Sequence, residues 1–466
     1  MIKKAAAFLP SSTLWLTFCL SFAFFSLNAQ EDESKKWEVN APPGEGWNWK
    51  EVKFTTDEGT WMNLDVSPDG KTLVFDLPGD IYTMPATGGK AQPLRTGIAR
   101  EVQPRFSPDG RQILFTGDAG GGDNIWVMQA DGSEARQITK EDFRLLNNAV
   151  WMPDGEYFIA RKHFTSGRSL GAGEMWMYHL SGGSGLQLTE RKNDQQDVNE
   201  PCVSPDGRYV YFSEDVYPGG YFQYNKDPNS QIYVIKRYDR QKGKVENLIT
   251  RQGGACRPQV SHDGKWLAFV KRIRARSVLC LYEIATGREY PLFDQLSKDQ
   301  QEAWAIFGVY PGFAWTPDDR HIIIHGLGKI WKVPVQPSDK PVEDAEIIPF
   351  ELEVNTKVAE TVRFRNEAYT ETFTARVIRQ AQTSPSGNFL VFNAIGRLWK
   401  KELPDGRPRE LTSAEERSYG FEFEPAFSPD GQTLAFVTWD DEAMGTLRLL
   451  DLQSGRSRAL LTDKGI

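Results

Sequence analysis

One tetrapeptide constrains this chain more than anything else in it. Ser67-Pro68-Asp69-Gly70 recurs at 107–110, 204–207 and 428–431. Four degenerate copies lie between them: Met152-Pro153-Asp154-Gly155, Ser261-His262-Asp263-Gly264, Thr316-Pro317-Asp318-Asp319 and Ser384-Pro385-Ser386-Gly387. The eight heads are separated by 40, 45, 52, 57, 55, 68 and 44 residues. Self-similarity at a near-fixed period marks a repeat architecture. The chemistry of the head is that of a tight turn: Pro fixes φ, Asp bonds its own backbone, and Gly accepts positive φ.

Each head lies between two apolar-rich segments, such as Val102–Phe106 and Gln112–Thr116, which reads as a hairpin. A third segment carries an aromatic near its start, as in Asn124-Ile125-Trp126 or Arg397-Leu398-Trp399. After a Gly-containing turn, a short fourth segment closes the unit, as in Leu186-Gln187-Leu188-Thr189. Four antiparallel strands per unit describe a propeller blade. The expected fold class is therefore all-β: a β-propeller of four-stranded antiparallel blades with eight repeat heads, its ring possibly incomplete at the C-terminal end. Composition agrees, with 12% aromatics, 41 Gly and 27 Pro in 466 residues. The residue before each head is apolar in seven of eight units (Val66, Phe106, Trp151, Val203, Val260, Trp315 and Phe427, but Thr383) and should pack between neighbouring blades.

Met1-Ile2-Lys3-Lys4, an apolar run and Leu27-Asn28-Ala29 describe a secretory signal peptide over 1–29. A retained membrane anchor is the rival reading, weakened by Ser11, Ser12, Thr13, Thr17 and Ser21. Cleavage takes away two lysines and no acids, moving the net charge from −8 to −10. An acidic chain disfavours nucleic acid as a partner. A periplasmic or secreted location follows. Three cysteines would remain, Cys202, Cys256 and Cys280; their spacing is neither a disulfide framework nor a zinc pattern, and one pair stays open as a disulfide. The expected domains are a lead segment at 30–50, blades one to six at 51–340, a polar insertion or linker at 341–375, and two further blades at 376–466 of an array that stops at a repeat junction.

The heads, the Ile-Tyr/Trp-x-Met strands and the Leu-Thr endings resemble the repeats of TolB-like periplasmic propellers, over about 51–462. Trp47-Asn48-Trp49-Lys50, Thr60–Asp65, Asp118–Trp126 and Asp142–Asn148 are similar to large secreted bacterial amidohydrolases with an N-terminal TolB-like propeller. That resemblance implies a metal-dependent hydrolase domain after the propeller. Such a domain needs His-x-His, which His163, His179, His262, His321 and His325 do not supply. No catalytic residue, metal site or cofactor is assigned to this chain.

Gly167-Arg168-Ser169-Leu170-Gly171 fits a serine-hydrolase elbow in sequence, but a strand rather than a helix should follow it. The candidate binding residues lie four positions before the heads: Asn63, Gln103, Asn148, Glu200, Arg257, Gln380 and Glu424, with Gly312 in the sixth unit. They should ring the channel mouth and could hold a peptide end, a small ligand or a cation; strand-end solvation explains them equally well. A loop with Tyr217, Tyr221, Phe222 and Tyr224 offers aromatic contacts for protein recognition. The expected function is a non-catalytic exported binding or gating module, the front part of a metal-dependent amidohydrolase. Its partners are a protein, a peptide or a downstream catalytic domain, with no transmembrane segment after cleavage. A stand-alone TolB-like periplasmic scaffold is the alternative, and a hydrolase using its own serine ranks last.

Overall fold

The computed structural model describes residues 39–40, 47–142, 145–165, 171–216, 226–303, 305–360, 367, 369–412 and 420–460. Each head joins the first two strands of one four-stranded antiparallel sheet, and eight such sheets follow one another along the chain. Blade one is Leu64–Val66, Thr72–Asp76, Ile81–Pro85 and Gln92–Arg95. The turn works through its side chains. Ser107 Oγ donates to Asp109 Oδ1 (2.6 Å), Arg111 N donates to the same oxygen (3.1 Å), and Gln112 N donates to Ser107 Oγ (2.9 Å). The serine hydroxyl, the largest cause, holds the carboxyls of Asp69, Asp109, Asp206 and Asp430 below their ordinary value. No helix among the described residues is long and apolar enough to cross a membrane.

Six of the sheets close a ring. Apolar clusters fill the seams between blades one and two (Val74, Ile113, Phe115), two and three (Leu114, Val127, Phe158), three and four (Ile159, Met175, Phe212), four and five (Tyr211, Leu267, Phe269), and five and six (Leu281, Phe313, Ile322). The sixth cluster returns from blade six to blade one, joining Ile323, Ile330 and Ile348 to Leu64, Leu73 and Phe75. Leu64 N also donates to Gly312 O (3.0 Å). The head face repeats this closure. A Cβ on Gly110 would lie 3.2 Å from Pro68 Cδ, and one on Gly70 would lie 3.4 Å from Pro317 Cδ. Gly207 and Gly264 likewise face Pro153 and Pro205 of the preceding heads, and the Gly70 contact packs blade one on blade six.

Blades seven and eight share a cluster of Val391, Leu398, Leu434, Phe436 and Leu450. They keep Ile378, Ile395 and Phe421 largely exposed. Exposed ion pairs, Arg276–Glu442 (2.7 Å) and Lys298–Asp441 (3.8 Å), run between this pair and the ring, and such pairs contribute little.

The stretch 341–375, expected as an insertion or linker, carries two strands. Glu346–Ile348 is the outer strand of blade six, so that blade runs past residue 340. Phe350–Ala359 then pairs antiparallel with Trp49–Thr56, with Leu352 opposite Thr56, and parallel with Gly89–Lys90. Phe350, Leu352 and Val354 alternate with Glu351, Glu353 and Asn355, and the apolar set is buried in the cluster that joins blades six and one. This small sheet clasps the closing seam.

Candidate binding site at the two ends of the channel

The first strand of each ring blade lines the axis, and in blades two to five, as in blades seven and eight, the first strand carries an irregularity four residues before its head. Gln103, Asn148, Glu200, Arg257, Gln380 and Glu424 have φ between 50° and 60°. At each of them the pairing with the second strand slips, as between Val102 and Arg105 or Asn199 and Cys202. A non-glycine residue in this left-handed region costs on the order of 1 kcal/mol. The bulge turns its N–H into the seam, where the preceding blade supplies an acceptor except at Glu200, whose N–H donates to Asn199 Oδ1 (2.9 Å). Asn148 N donates to Gln103 Oε1 (2.8 Å), Arg257 N to Glu200 Oε2 (2.6 Å) and Glu424 N to Gln380 Oε1 (3.0 Å). In blade one, Asp76 serves instead, accepting from Asn63 N (2.8 Å) and Gln103 N (2.7 Å).

In the ring these side chains also meet a segment of their own chain. Between blades five and six, residues 299–303 and 305–313 lie across the channel end. The segment is pinned by Asp299, which accepts from Arg272 Nη2 (2.7 Å) and Ser277 Oγ (2.5 Å). Gln103 Nε2 donates to Phe307 O (2.8 Å), Asn199 Nδ2 to Ile306 O (3.1 Å), and Arg257 Nε to Tyr310 O (2.7 Å). In return Val309 N and Tyr310 N donate to Glu200 Oε1 (2.6 and 3.0 Å), and Gly312 N donates to Asn63 Oδ1 (2.8 Å). Gly308 has φ +108°, and a Cβ there would fall 2.2 Å from Arg257 Nη2, so the plug needs glycine at that point.

The structure therefore brings together Asn63, Gln103, Asn148, Glu200 and Arg257, but inside the molecule; Glu200 is 0% and Arg257 2% exposed. They join neighbouring blades and hold the plug, where the sequence placed them at an open mouth. Gln380 and Glu424 sit apart from them, in blades seven and eight, hydrogen-bonded to each other, Gln380 half-buried and Glu424 exposed. Burial lowers the Arg257 pKa, against the pull of Glu200. Burial likewise pushes the Asp76 carboxyl up to about 6 despite its N–H donors. Cys202, Cys256 and Cys280 are free and buried; burial pushes the Cys202 thiol to about 11 and the Cys280 thiol to about 12, so little thiolate forms at neutral pH. Tyr217, Tyr221, Phe222, Tyr224 and Ser169 lie outside the described residues.

The opposite end, at the heads, is open. A cavity of about 350 Å³ is lined there by all six blades of the ring. Its walls include Phe106, Trp151 and Trp315; Trp151 Nε1 donates to Arg105 O (3.0 Å) and Trp315 Nε1 to Gln259 O (2.9 Å), each reaching the preceding blade. The rim is proline from five heads and His262 from the other. His262 lacks the proline, and Asp319 in the next head lacks the glycine. The two deviations meet: His262 Nδ1 lies 2.8 Å from Asp319 Oδ1, and His262 N and Asp263 N both donate to that carboxylate (2.9 Å each). Sequence reasoning missed this pair, although the signal was visible as two degenerate heads in succession.

Residues 53–220 match the TolB beta propeller domain family. An uncharacterized peptidase of Bacillus subtilis, YuxL, is 28% identical over 184 residues, 39% of this chain and 23% of that protein. A Tricorn-like protease C-terminal subunit of Sulfurisphaera tokodaii is 26% identical over 167 residues, 36% of this chain and 18% of that protein. The matched region thus spans less than a quarter of either relative. The solved TolB of Acinetobacter baumannii superposes with a TM-score of 0.43 at 15% identity, over 62% of this chain and 65% of that one. Residues 53–220 are thus similar to the TolB beta propeller domain, and the four-stranded blade seen there repeats along the rest of the described chain.

Proposed function

We propose that this chain is an exported, non-catalytic propeller module that binds protein or peptide at the head end of its channel, and that it forms the N-terminal part of a secreted metal-dependent amidohydrolase. The observation that carries the binding reading is the asymmetry of the channel. One end is filled by residues 305–313, and the other is a cavity walled by Phe106, Trp151 and Trp315. Concave sites with aromatic walls and few polar groups are where ligands bind. Blades one to six with their clasp are one domain, and blades seven and eight begin a second array. Export rests on the leader-like 1–29, and the hydrolase context on the resemblance of Trp47–Lys50 and Asp118–Trp126. A photo-crosslinking residue placed at 262 or at 307 in the full chain tests the reading in an envelope extract. Protein adducts should form at 262 and not at 307. Equal labelling at both positions would overturn a head-end site.

A further inference from the structure

Resting on that reading, we propose that the head-end cavity takes the free C-terminal carboxylate of a peptide with apolar last residues, received by Arg105. The first argument is topological. The cavity is blind, because the plug lies across the channel beneath it, so an extended chain cannot thread through and only a chain end can enter. Arg105 stands at that floor: it lines both the 350 Å³ cavity and a void of about 10 Å³ beside Asn63, Gln103, Asn148 and Arg257. The second argument is chemical and chooses which end enters. Among the described residues the side-chain hydrogen bonds of Arg105 leave from Nη1: to Phe313 O (3.1 Å), Leu64 O (3.4 Å) and Asp65 Oδ1 (3.5 Å). Among the described residues Nε and Nη2 donate to nothing. A guanidinium is built to engage a carboxylate through paired donors, and here one fork is unused. Asp65, among the described residues the only carboxylate lining the cavity, already accepts from Phe106 N (2.8 Å) besides Arg105. The open valence at the floor is thus a donor, which suits a carboxylate end and not an ammonium end. Above it, Phe106, Trp151 and Trp315 offer apolar surface to the last side chains.

The test uses the full chain and a library of N-acetylated hexapeptides with apolar residues at the last two positions, each made as free acid and as C-terminal amide. Peptides retained by the protein are identified by mass spectrometry. Free acids should be retained at least tenfold over their amides. Arg105→Gln should abolish that preference, while Trp151→Ala should weaken acids and amides together and leave the ratio. Equal retention of acids and amides, both lost in Trp151→Ala, would overturn the carboxylate assignment and leave the head-end site standing. No retention, or retention indifferent to Trp151→Ala, would overturn both.

Discussion

Blades four and five of the ring and blades seven and eight of the pair use the same bulge to different ends. In both, a left-handed residue sends its N–H to the side chain one blade earlier: Arg257 to Glu200 in the ring, Glu424 to Gln380 in the pair. In the ring the acceptor is then buried and takes two more N–H groups from the plug. In the pair neither partner is buried. The lesson is that the bulge specifies blade-to-blade spacing, whereas the worth of its polar side chain depends on what covers it. Burial makes an unsatisfied group expensive, and water forgives it.

The largest separation between the two regions should come from Glu200→Ala. It strands Arg257, Val309 N and Tyr310 N in the interior, and breaking a buried charge pair costs about 3–5 kcal/mol. Glu424→Ala should cost a small fraction of that. Urea unfolding of both variants checks this, and equal losses would break the comparison. Next is Gly308→Ala, which forces an alanine to φ +108° against Arg257; we expect about 2 kcal/mol and a loosened plug, read from the same unfolding curves.

A smaller effect depends on pH. The Asp76 carboxyl is raised by burial from 3.8 to about 6. Between those values the folded ring keeps a proton that the unfolded chain has released, so this group's contribution is present below about pH 4 and is lost as pH rises through 6. Wild type should therefore lose stability relative to Asp76→Asn between pH 4 and 7. The opposite slope would show that the N–H groups of Asn63 and Gln103 hold the carboxylate ionised. The smallest effect concerns the seam of His262 and Asp319. Restoring the repeat with His262→Pro and Asp319→Gly together should be nearly neutral, while His262→Pro alone leaves Asp319 with Asp263 N and without both His262 donors. A double-mutant cycle should give a coupling of about 1 kcal/mol, and additivity would show that the two deviations are unrelated.

The blades were legible because turn chemistry is local. Ser, Pro, Asp and Gly each act within a few residues, so the eight heads announce eight sheets. Position four before the head was legible as a polar ring, but its left-handed backbone was not, since Gln, Glu and Arg carry no preference for that conformation. The plug was hidden for a different reason. Beyond the Asp299 anchor, most of its bonds to the ring come from backbone atoms of residues 305–313, which no side-chain pattern reveals. The clasp could have been read: Phe350-Glu351-Leu352-Glu353-Val354 alternates with a period of two, inside a stretch whose overall polarity suggested a linker.

Amide hydrogen exchange on the intact chain tests the account most directly, because the plug and the ring are joined through N–H groups. Val309, Tyr310 and Gly312 should exchange as slowly as Arg257 and the strands of blades four and five, and Glu424 should exchange far faster. Rapid exchange at 309–312, comparable to that of an exposed loop, would mean that the segment does not close the channel.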